Sequence, residues 1–208
     1  GFRFRCGNLG AMYGVQPDLT TLGKIIGGGM PLAAVVGRAD VMALCGRANG
    51  SRRVRFDGGT YSAHPLTLLA AKTMLAYLAE HETEIYHRLG ELGDKARRGI
   101  EAAFANYDIV ARCTGYPNEA TPGSSLGAVH FPYDPGQLLH SGEDVSDPTV
   151  CDTAMREQVL KLGLLLQDIH VSHGLGAISL AHTDADIERL IASCATVAER
   201  VARTVEPG

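Results

Sequence analysis

The sequence predicts an α/β fold. Short runs of small and β-branched apolar residues alternate along the chain with longer segments in which apolar residues recur every three or four positions. The first pattern is typical of buried strands and the second of amphipathic helices that cover a sheet. With 208 residues, 45% hydrophobic and 20% charged, the chain is long enough to bury a substantial core.

The first third of the chain is rich in turns. Its predicted elements are, in order, glycine-rich turns (1–16), a segment leading into a loop around Lys24 (17–24), a buried strand (Ala33–Gly37), a short helix (Arg38–Leu44) and a polar, basic loop (Gly46–Gly59). The basic cluster Arg52-Arg53-Val54-Arg55 belongs to this loop, and we interpret it as solvated.

Two long helices follow. The first runs from Pro65 to about residue 79, with an apolar stripe formed by Leu66, Leu69, Ala70, Thr73, Met74, Tyr77 and Leu78. The second begins near Glu82, with a stripe formed by Ile85, Leu89, Leu92, Ala96, Ile100, Ala103 and Phe104. We interpret both stripes as core packing.

From Asp108 onward short strands and loops dominate. The predicted elements are strands at Ile109–Cys113 and Leu126–Phe131 joined by a loop (115–125), an exposed loop (132–148), a helix (149–162), a buried strand (Gly163–Gln167), a last strand (Gly176–Ala181) and a final helix to about residue 203. Thr183-Asp184-Ala185-Asp186 resembles a capping box at the start of the final helix.

Lys24 is the residue to which chemistry is most readily assigned. It lies between a polar turn that contains Thr20 and Thr21 and the glycines Gly27–Gly29, with apolar neighbours that predict a buried amine. A desolvated lysine gives up its proton readily, and the neutral amine condenses with an aldehyde to form a Schiff base. The alternative is a surface lysine at a strand end, with the glycines only forming a turn.

Composition excludes several other classes of function. A formal net charge of -4 with mixed signs gives no reason to expect a nucleic-acid partner. Five scattered cysteines without a C-x-x-C pair suggest reduced thiols, and neither a disulfide framework nor a zinc site. Since no apolar run approaches the ~20 residues of a membrane helix, we expect a protein that is not membrane-bound and that works in the cytoplasm.

Several blocks of the sequence together resemble one family. Y-G-V-x-P-D-L-T-T-L-G-K-x-I-G-G-G-x-P, from Tyr13 to Pro31, resembles the cofactor-lysine segment of class III (fold type I) pyridoxal-phosphate aminotransferases, particularly the glutamate-1-semialdehyde 2,1-aminomutase branch. Gly1-Phe2-Arg3, Gly37-Arg38 and the segment Phe56–Pro65 match further blocks in the same order. The resemblance is strong over residues 1–80 and weaker, but collinear, to about residue 195.

The resemblance implies roles for three residues. Lys24 would hold pyridoxal phosphate as a Schiff base and shuttle a proton during transamination or aminomutation of a small amino acid or aminoaldehyde. Gly59 and Thr60, after Gly58, would bind the cofactor phosphate of the neighbouring subunit in a homodimer with a shared active site. From spacing alone, Thr60 is equally well explained as the N-cap of the helix that follows. His64 stands where many family members have asparagine.

The resemblance also implies two domains and a missing part. Residues 1–80 would be the C-terminal part of the cofactor-binding large domain and residues 81–208 the small C-terminal α/β domain. We therefore expect a fragment, with the aspartate that pairs with the pyridine nitrogen just upstream of Gly1, and an isolated segment that is inactive.

Other functions stay open. The chain could be a non-catalytic remnant or dimerisation partner with this fold, or a fold-related decarboxylase or racemase that uses the same lysine. The stretch His170-Val171-Ser172-His173 departs from the Ala-Pro-Ser-like segment usual in the aminomutase branch and is weighed as a metal pair or a loop at the substrate entrance, but it lacks a full set of neighbouring ligands. We therefore expect no metal site.

Overall fold

The structure, a computed structural model, describes residues 1–54, 59–171 and 176–205. The chain divides into two compact units, Gly1–Ile85 and Tyr86–Gly208, and the division falls within a long helix. Its mixture of helices and strands confirms the predicted α/β class. The assignment of the two parts, split at residue 80, to a large and a small domain of the family stays a prediction.

The described residues of the first unit form a two-stranded ribbon, two α-helices and the start of a third. Its elements are β1 (Leu19–Gly23), β2 (Ala33–Gly37), α1 (Ala39–Met42), α2 (Pro65–Glu80) and the start of α3 (Glu82–Ala105). Short 3-10 helices lie at Leu9–Tyr13, Lys24–Gly27, Ala43–Cys45 and Arg47–Arg52. The helices predicted after Arg38 and after Pro65 are thereby confirmed.

The strand predicted at Ala33–Gly37 forms, but its predicted burial is wrong. β2 pairs with β1 as an antiparallel ribbon, with Leu19 opposite Gly37 and Gly23 opposite Ala33. Val36 is 45% exposed, and Val35 is half-buried. A two-stranded ribbon is covered only where another element packs on it, and the described residues of this unit cover it in part.

The apolar stripe predicted for α2 is confirmed at Leu78 and wrong at other positions. The buried residues of α2 are Thr67, Ala71 and Leu78. Three members of the predicted stripe are instead well exposed: Leu66 (58%), Leu69 (61%) and Tyr77 (50%). The α2 segment is apolar on several sides, so its periodicity does not single out the face that meets the rest of the unit.

The second unit holds the larger core. After α3 its elements are β3 (Arg112–Cys113), β4 (Leu126–Gly127), β5 (Val129–His130), a π-helical segment (Met155–Leu160), α4 (Lys161–Leu165), β6 (Gly176–Ala177) and α5 (Asp184–Val205). β3 pairs antiparallel with β5, and β4 pairs antiparallel with β6. β-Strands form within the segments predicted at Ile109–Cys113, Leu126–Phe131 and Gly176–Ala181, but they are shorter than expected, and the second segment holds two strands, β4 and β5.

The core lies between α3, α5 and the strands. Leu92, Ile100 and Phe104 of α3 are 0–1% exposed, which confirms the stripe predicted there. The predicted capping box of α5 is present. The backbone N–H of Thr183 donates to Asp186 Oδ2 (2.7 Å), and the N–H of Asp186 donates to Thr183 Oγ1 (3.3 Å).

The strand predicted at Gly163–Gln167 is wrong, because α4 extends through Leu165. Leu160 and Leu164 lie four residues apart, and both are fully buried, as on one face of a helix. A Cβ on Gly163 would come within 2.5 Å of Val197 Cγ2, so the glycine lets α4 approach α5 closely. Leu165 and Leu166 are exposed (53% and 71%), which explains why a leucine run read as buried misled the prediction.

A buried histidine makes the second unit sensitive to acid. His130 on β5 is 5% exposed, and its Nδ1 lies 3.0 Å from Arg156 Nη1. Because a guanidinium only donates, Nδ1 accepts and the imidazole is neutral. Burial lowers the pKa of His130 to about 4, and the charge of Arg156 acts in the same direction.

This depressed pKa predicts a loss of stability in acid. Between the ordinary pKa of 6.5 and the folded pKa of about 4, the unfolded chain binds a proton that the folded chain does not, so the free energy of unfolding falls as pH falls through this window. The loss assigned to this one residue is up to about 3 kcal/mol. Urea unfolding at both ends of the window should give a smaller loss for His130→Gln, which keeps an acceptor for Arg156. An equal loss in both proteins would contradict the assignment.

Candidate functional site

Lys24 occupies a strained position between β1 and the glycine cluster. It opens the 3-10 turn Lys24–Gly27 directly after the last residue of β1, with φ = 55°. A left-handed conformation costs a residue with a Cβ about 1–2 kcal/mol. Such strain is concentrated at functional sites, where the surrounding structure enforces it.

The turn that carries Lys24 is anchored on α2. Ile26 is 2% exposed and Gly27 is also buried. Gly28 follows with φ = 59°, and a Cβ there would lie 2.9 Å from the carbonyl oxygen of Ala70. Only glycine meets both requirements, so the glycine cluster serves to hold the lysine turn against the helix.

The prediction that the amine of Lys24 is buried is wrong for the described residues, in which Lys24 is exposed. It lines an open groove of about 330 Å³, whose two walls are residues 1–3 with 7–9 and residues 20–25. Leu22 and Ile25 are only half-buried. Apolar neighbours in the sequence indicated burial, but the side chains that close over this unit's core are those of Ile26 and α2.

Asn8 and Thr20, which the sequence did not single out as a pair, join the two walls of this groove. Asn8 Nδ2 donates to Thr20 Oγ1 at 3.0 Å, and the N–H of Gly10 donates to Asn8 Oδ1 at 2.7 Å. The second bond caps the 3-10 helix Leu9–Tyr13. An Asn two residues before a glycine is a signal for such a turn, but it does not reveal the contact with Thr20.

Gly59 and Thr60 lie in an exposed turn before α2. The N–H of Ser62 donates to the carbonyl of Gly59 at 3.1 Å. The cap of α2 is His64, whose Nδ1 accepts from the N–H of Thr67 at 3.4 Å, so the alternative in which Thr60 is the N-cap is wrong. The neighbouring residues 55–58, which include Gly58 and Arg55, the last residue of the basic cluster, are outside the described residues.

The predicted site residues do not all meet in one place. Among the described residues that line the groove at Lys24, neither Gly59 nor Thr60 is present. Within the first unit, the candidate site therefore has two parts. One is the lysine turn with its groove, and the other is the exposed turn that carries Gly59 and Thr60.

The histidines form no metal site in the part of the chain that the structure describes, where no three His, Cys, Asp or Glu side chains come together as ligands. His170 lines a cavity of about 310 Å³ in the second unit, whereas Ser172 and His173 lie outside the described residues. Within the same ranges, the helices are too short or too polar to cross a membrane.

A cleft of about 860 Å³ lies in the second unit, away from any predicted site residue. Glu101, at its edge, accepts from the N–H of Cys113 at 2.6 Å and from the Tyr116 hydroxyl at 2.8 Å. Burial, and then the bond to Glu101, raises the pKa of Tyr116. These groups satisfy one another and hold the loop after β3, so the cleft offers no obvious chemistry.

Known proteins match this chain in both sequence and fold. The family model for class-III aminotransferases matches residues 1–116. A glutamate-1-semialdehyde 2,1-aminomutase from Halobacterium salinarum is 32% identical over an alignment of 208 positions, gaps included. The alignment covers 90% of this chain and 44% of that protein. This chain therefore spans less than half the length of that relative.

Solved structures show the same fold over nearly the whole chain. An omega-transaminase from Sphaerobacter thermophilus is 30% identical with a TM-score of 0.73, covering 97% of this chain and 42% of that one. A transaminase solved with PLP bound is 25% identical with a TM-score of 0.70, covering 97% and 43%. Since the family model matches more than half of the chain and the fold agrees with these transaminases, the chain belongs to the class-III aminotransferase family.

Proposed function

We propose that the protein carrying this sequence transfers amino groups with pyridoxal phosphate bound to Lys24, as a transaminase or a glutamate-1-semialdehyde-type aminomutase. The observation that carries this proposal is Lys24 itself, held at φ = 55° on an anchored turn and lining a groove. When bound, the cofactor supplies an electron sink for the substrate's bonding electrons.

The residues around Lys24 fit a small polar ligand. The groove of about 330 Å³ lies within the range of roughly 300–1,000 Å³ for small-molecule sites, and the side chains of Asn8, Thr20 and Thr21 give its walls polar groups. The groove is open, and the chain spans 44% of the Halobacterium relative. We propose that a longer polypeptide completes the pocket, so the 208 residues alone should retain the cofactor poorly and be inactive.

Lys24 would act twice in this proposal. Its Nζ, as a neutral amine, would be the nucleophile that holds the cofactor. The same Nζ would also serve as the base that takes a proton from the substrate carbon and returns it. The anchored turn places Lys24 along the groove, where both tasks would take place.

Product analysis tests the proposal and separates its variants. The intact protein is incubated with pyridoxal phosphate, with amino donors and an oxo-acid acceptor, and separately with glutamate-1-semialdehyde. Amino transfer between two substrates supports a transaminase, and isomerisation of the semialdehyde supports an aminomutase. Release of CO₂ or racemisation alone would overturn amino transfer in favour of the related decarboxylase or racemase. A protein that takes up no cofactor would indicate a non-catalytic remnant.

We also propose a homodimer in which Gly59 and Thr60 bind the cofactor phosphate of the partner. Backbone N–H groups near glycines and a threonine hydroxyl are suited to an anion. Exposed apolar side chains beside this turn, Tyr61 (81%), Leu66 (58%) and Leu69 (61%), favour its burial against another surface. Five free cysteines favour the cytoplasm as the site of action.

A shared site predicts complementation between two variants. Thr60→Ala should weaken cofactor binding about tenfold or more, since a hydrogen bond to a charged group contributes about 1.5–3 kcal/mol. Thr60→Ala and Lys24→Ala proteins, unfolded together and refolded, should regain activity because each mixed dimer has one site with both native residues. The control is Lys24→Ala refolded alone. A mixture no more active than its more active component would contradict the shared site.

A further inference from the structure

The side-chain amide of Asn8 bridges the two walls of the groove at Lys24. A backbone N–H can only donate, so the bond of 2.7 Å from Gly10 fixes the oxygen of Asn8 toward the 3-10 helix Leu9–Tyr13. The NH₂ group is then directed to Thr20 Oγ1, at 3.0 Å. Both ends of the amide are used, and its orientation is determined.

The second partner of this link is part of the strand that leads to Lys24. Thr20 is the second residue of β1 and pairs with Val36 of β2 in the ribbon. β1 ends at Gly23, and Lys24 follows directly. A force that moves Thr20 is therefore transmitted along four residues of extended backbone to the lysine turn.

Asn8 itself belongs to the opposite wall of the groove. Residues 1–3 and 7–9 line the groove across from residues 20–25. The carboxylate of Glu82 accepts from the N–H of Cys6 at 3.0 Å, which holds the same segment at a second point, two residues before Asn8. The Asn8 side chain thus joins the two walls at the start of the 3-10 helix Leu9–Tyr13.

We propose that Asn8 is a positioning residue that holds the two walls of the groove at the separation that pyridoxal phosphate on Lys24 requires. It acts through Thr20 and does not itself react with the cofactor. The inference rests on the proposed function for its ligand, but the link between the walls can be tested without that ligand.

A double-mutant cycle measures the role in cofactor binding. Asn8→Ala and Thr20→Val, made in the intact protein, should each weaken pyridoxal phosphate binding by about threefold to tenfold, the effect of one neutral hydrogen bond. The double variant should bind no more weakly than Asn8→Ala alone, since Thr20→Val removes a bond that Asn8→Ala has already removed. Asn8→Asp should bind like the original protein, because its oxygens accept both from Gly10 and from the Thr20 hydroxyl.

A matched control comes from Asn49, whose Nδ2 donates to the carbonyl of Ala43 at 2.6 Å in the same unit. Asn49→Ala should leave cofactor binding unchanged. Effects of Asn8→Ala and Thr20→Val that multiply in the double variant, or an Asn8→Ala protein that binds the cofactor normally, would overturn the inference.

Limited trypsin digestion without cofactor separates this inference from the proposed function. Arg3 lies in the first wall and Arg5 in the short segment between its two parts, and cleavage at both should become several-fold faster in Asn8→Ala and Thr20→Val than in Asn49→Ala. Unchanged cleavage at these arginines would refute the link between the walls even if the protein binds the cofactor. Faster cleavage in a protein that takes up no cofactor would support the link and refute only the proposed function.

Discussion

Replacing Lys24 by alanine is expected to abolish amino transfer by the intact protein. The change removes the nucleophile that binds the cofactor and the base that moves the substrate proton. Proton transfer by a positioned side chain alone contributes about 10²–10⁴ in rate, so turnover should fall by at least about a thousandfold. Because alanine also has a Cβ, it keeps the strain at φ = 55° and should leave the fold unchanged.

Two further variants make this result specific. Lys72→Ala removes another exposed lysine of the same unit, on α2, and should retain full activity. Lys24→Arg keeps the positive charge, but its guanidinium is always protonated and cannot replace the amine, so it should be as inactive as Lys24→Ala. Activity in Lys24→Arg close to that of the original protein would contradict a covalent role.

Phe104→Ala is expected to have the largest effect on stability. Phe104 is 0% exposed near the end of α3, and its ring meets that of Phe131 edge-on, with centroids 5.0 Å apart at 76°. Removing a fully buried phenylalanine side chain costs about 3–5 kcal/mol, from lost burial and from the cavity left behind. Urea unfolding followed by circular dichroism should show this loss.

The matched control is Leu166→Ala, at a leucine of the same unit that is 71% exposed. Its free energy of unfolding should change by no more than about 0.5 kcal/mol. Phe104→Leu, which refills most of the space, should lie between the two. A change of less than about 1 kcal/mol for Phe104→Ala would mean that the core is not packed around this ring.

The long helices of the second unit could be predicted because their apolar residues fall on one face, which identifies the side that is buried. In α3, Leu92, Ile100 and Phe104 lie on one face, and the charged residues of the helix lie elsewhere. The structure buries these three apolar residues. The capping box at Thr183 was recognisable for a similar reason, since local hydrogen bonds alone determine it.

Burial in the first unit could not be predicted in this way. α2 has leucines on several faces, and the residues it buries are Thr67, Ala71 and Leu78, of which only Leu78 belongs to the predicted stripe. The strand expected at Gly163–Gln167 failed for a comparable reason, because packing of Gly163 against α5 extends a helix through a run that local composition does not distinguish from a strand.

The candidate site was predictable only in part. Lys24 followed from its setting between threonines and glycines together with a multi-block resemblance, and not from spacing alone. The exposure of Lys24 and the bond between Asn8 and Thr20 depend on how separate segments meet, whereas the cap by His64 is a local contact with Thr67 that histidine, an uncommon N-cap residue, does not signal. Single residues such as Asn8 carry no periodic signal, so their partners emerge only from the fold.

Peptide mass mapping after borohydride reduction tests the central claim most directly. The intact protein is saturated with pyridoxal phosphate, reduced and digested, and each lysine-containing peptide is examined for the added mass of the reduced cofactor. We expect the adduct on the peptide that contains Lys24 and its absence from the Lys24→Ala protein. A saturated protein with no adduct at Lys24, or with the adduct on another lysine, would contradict the proposed site.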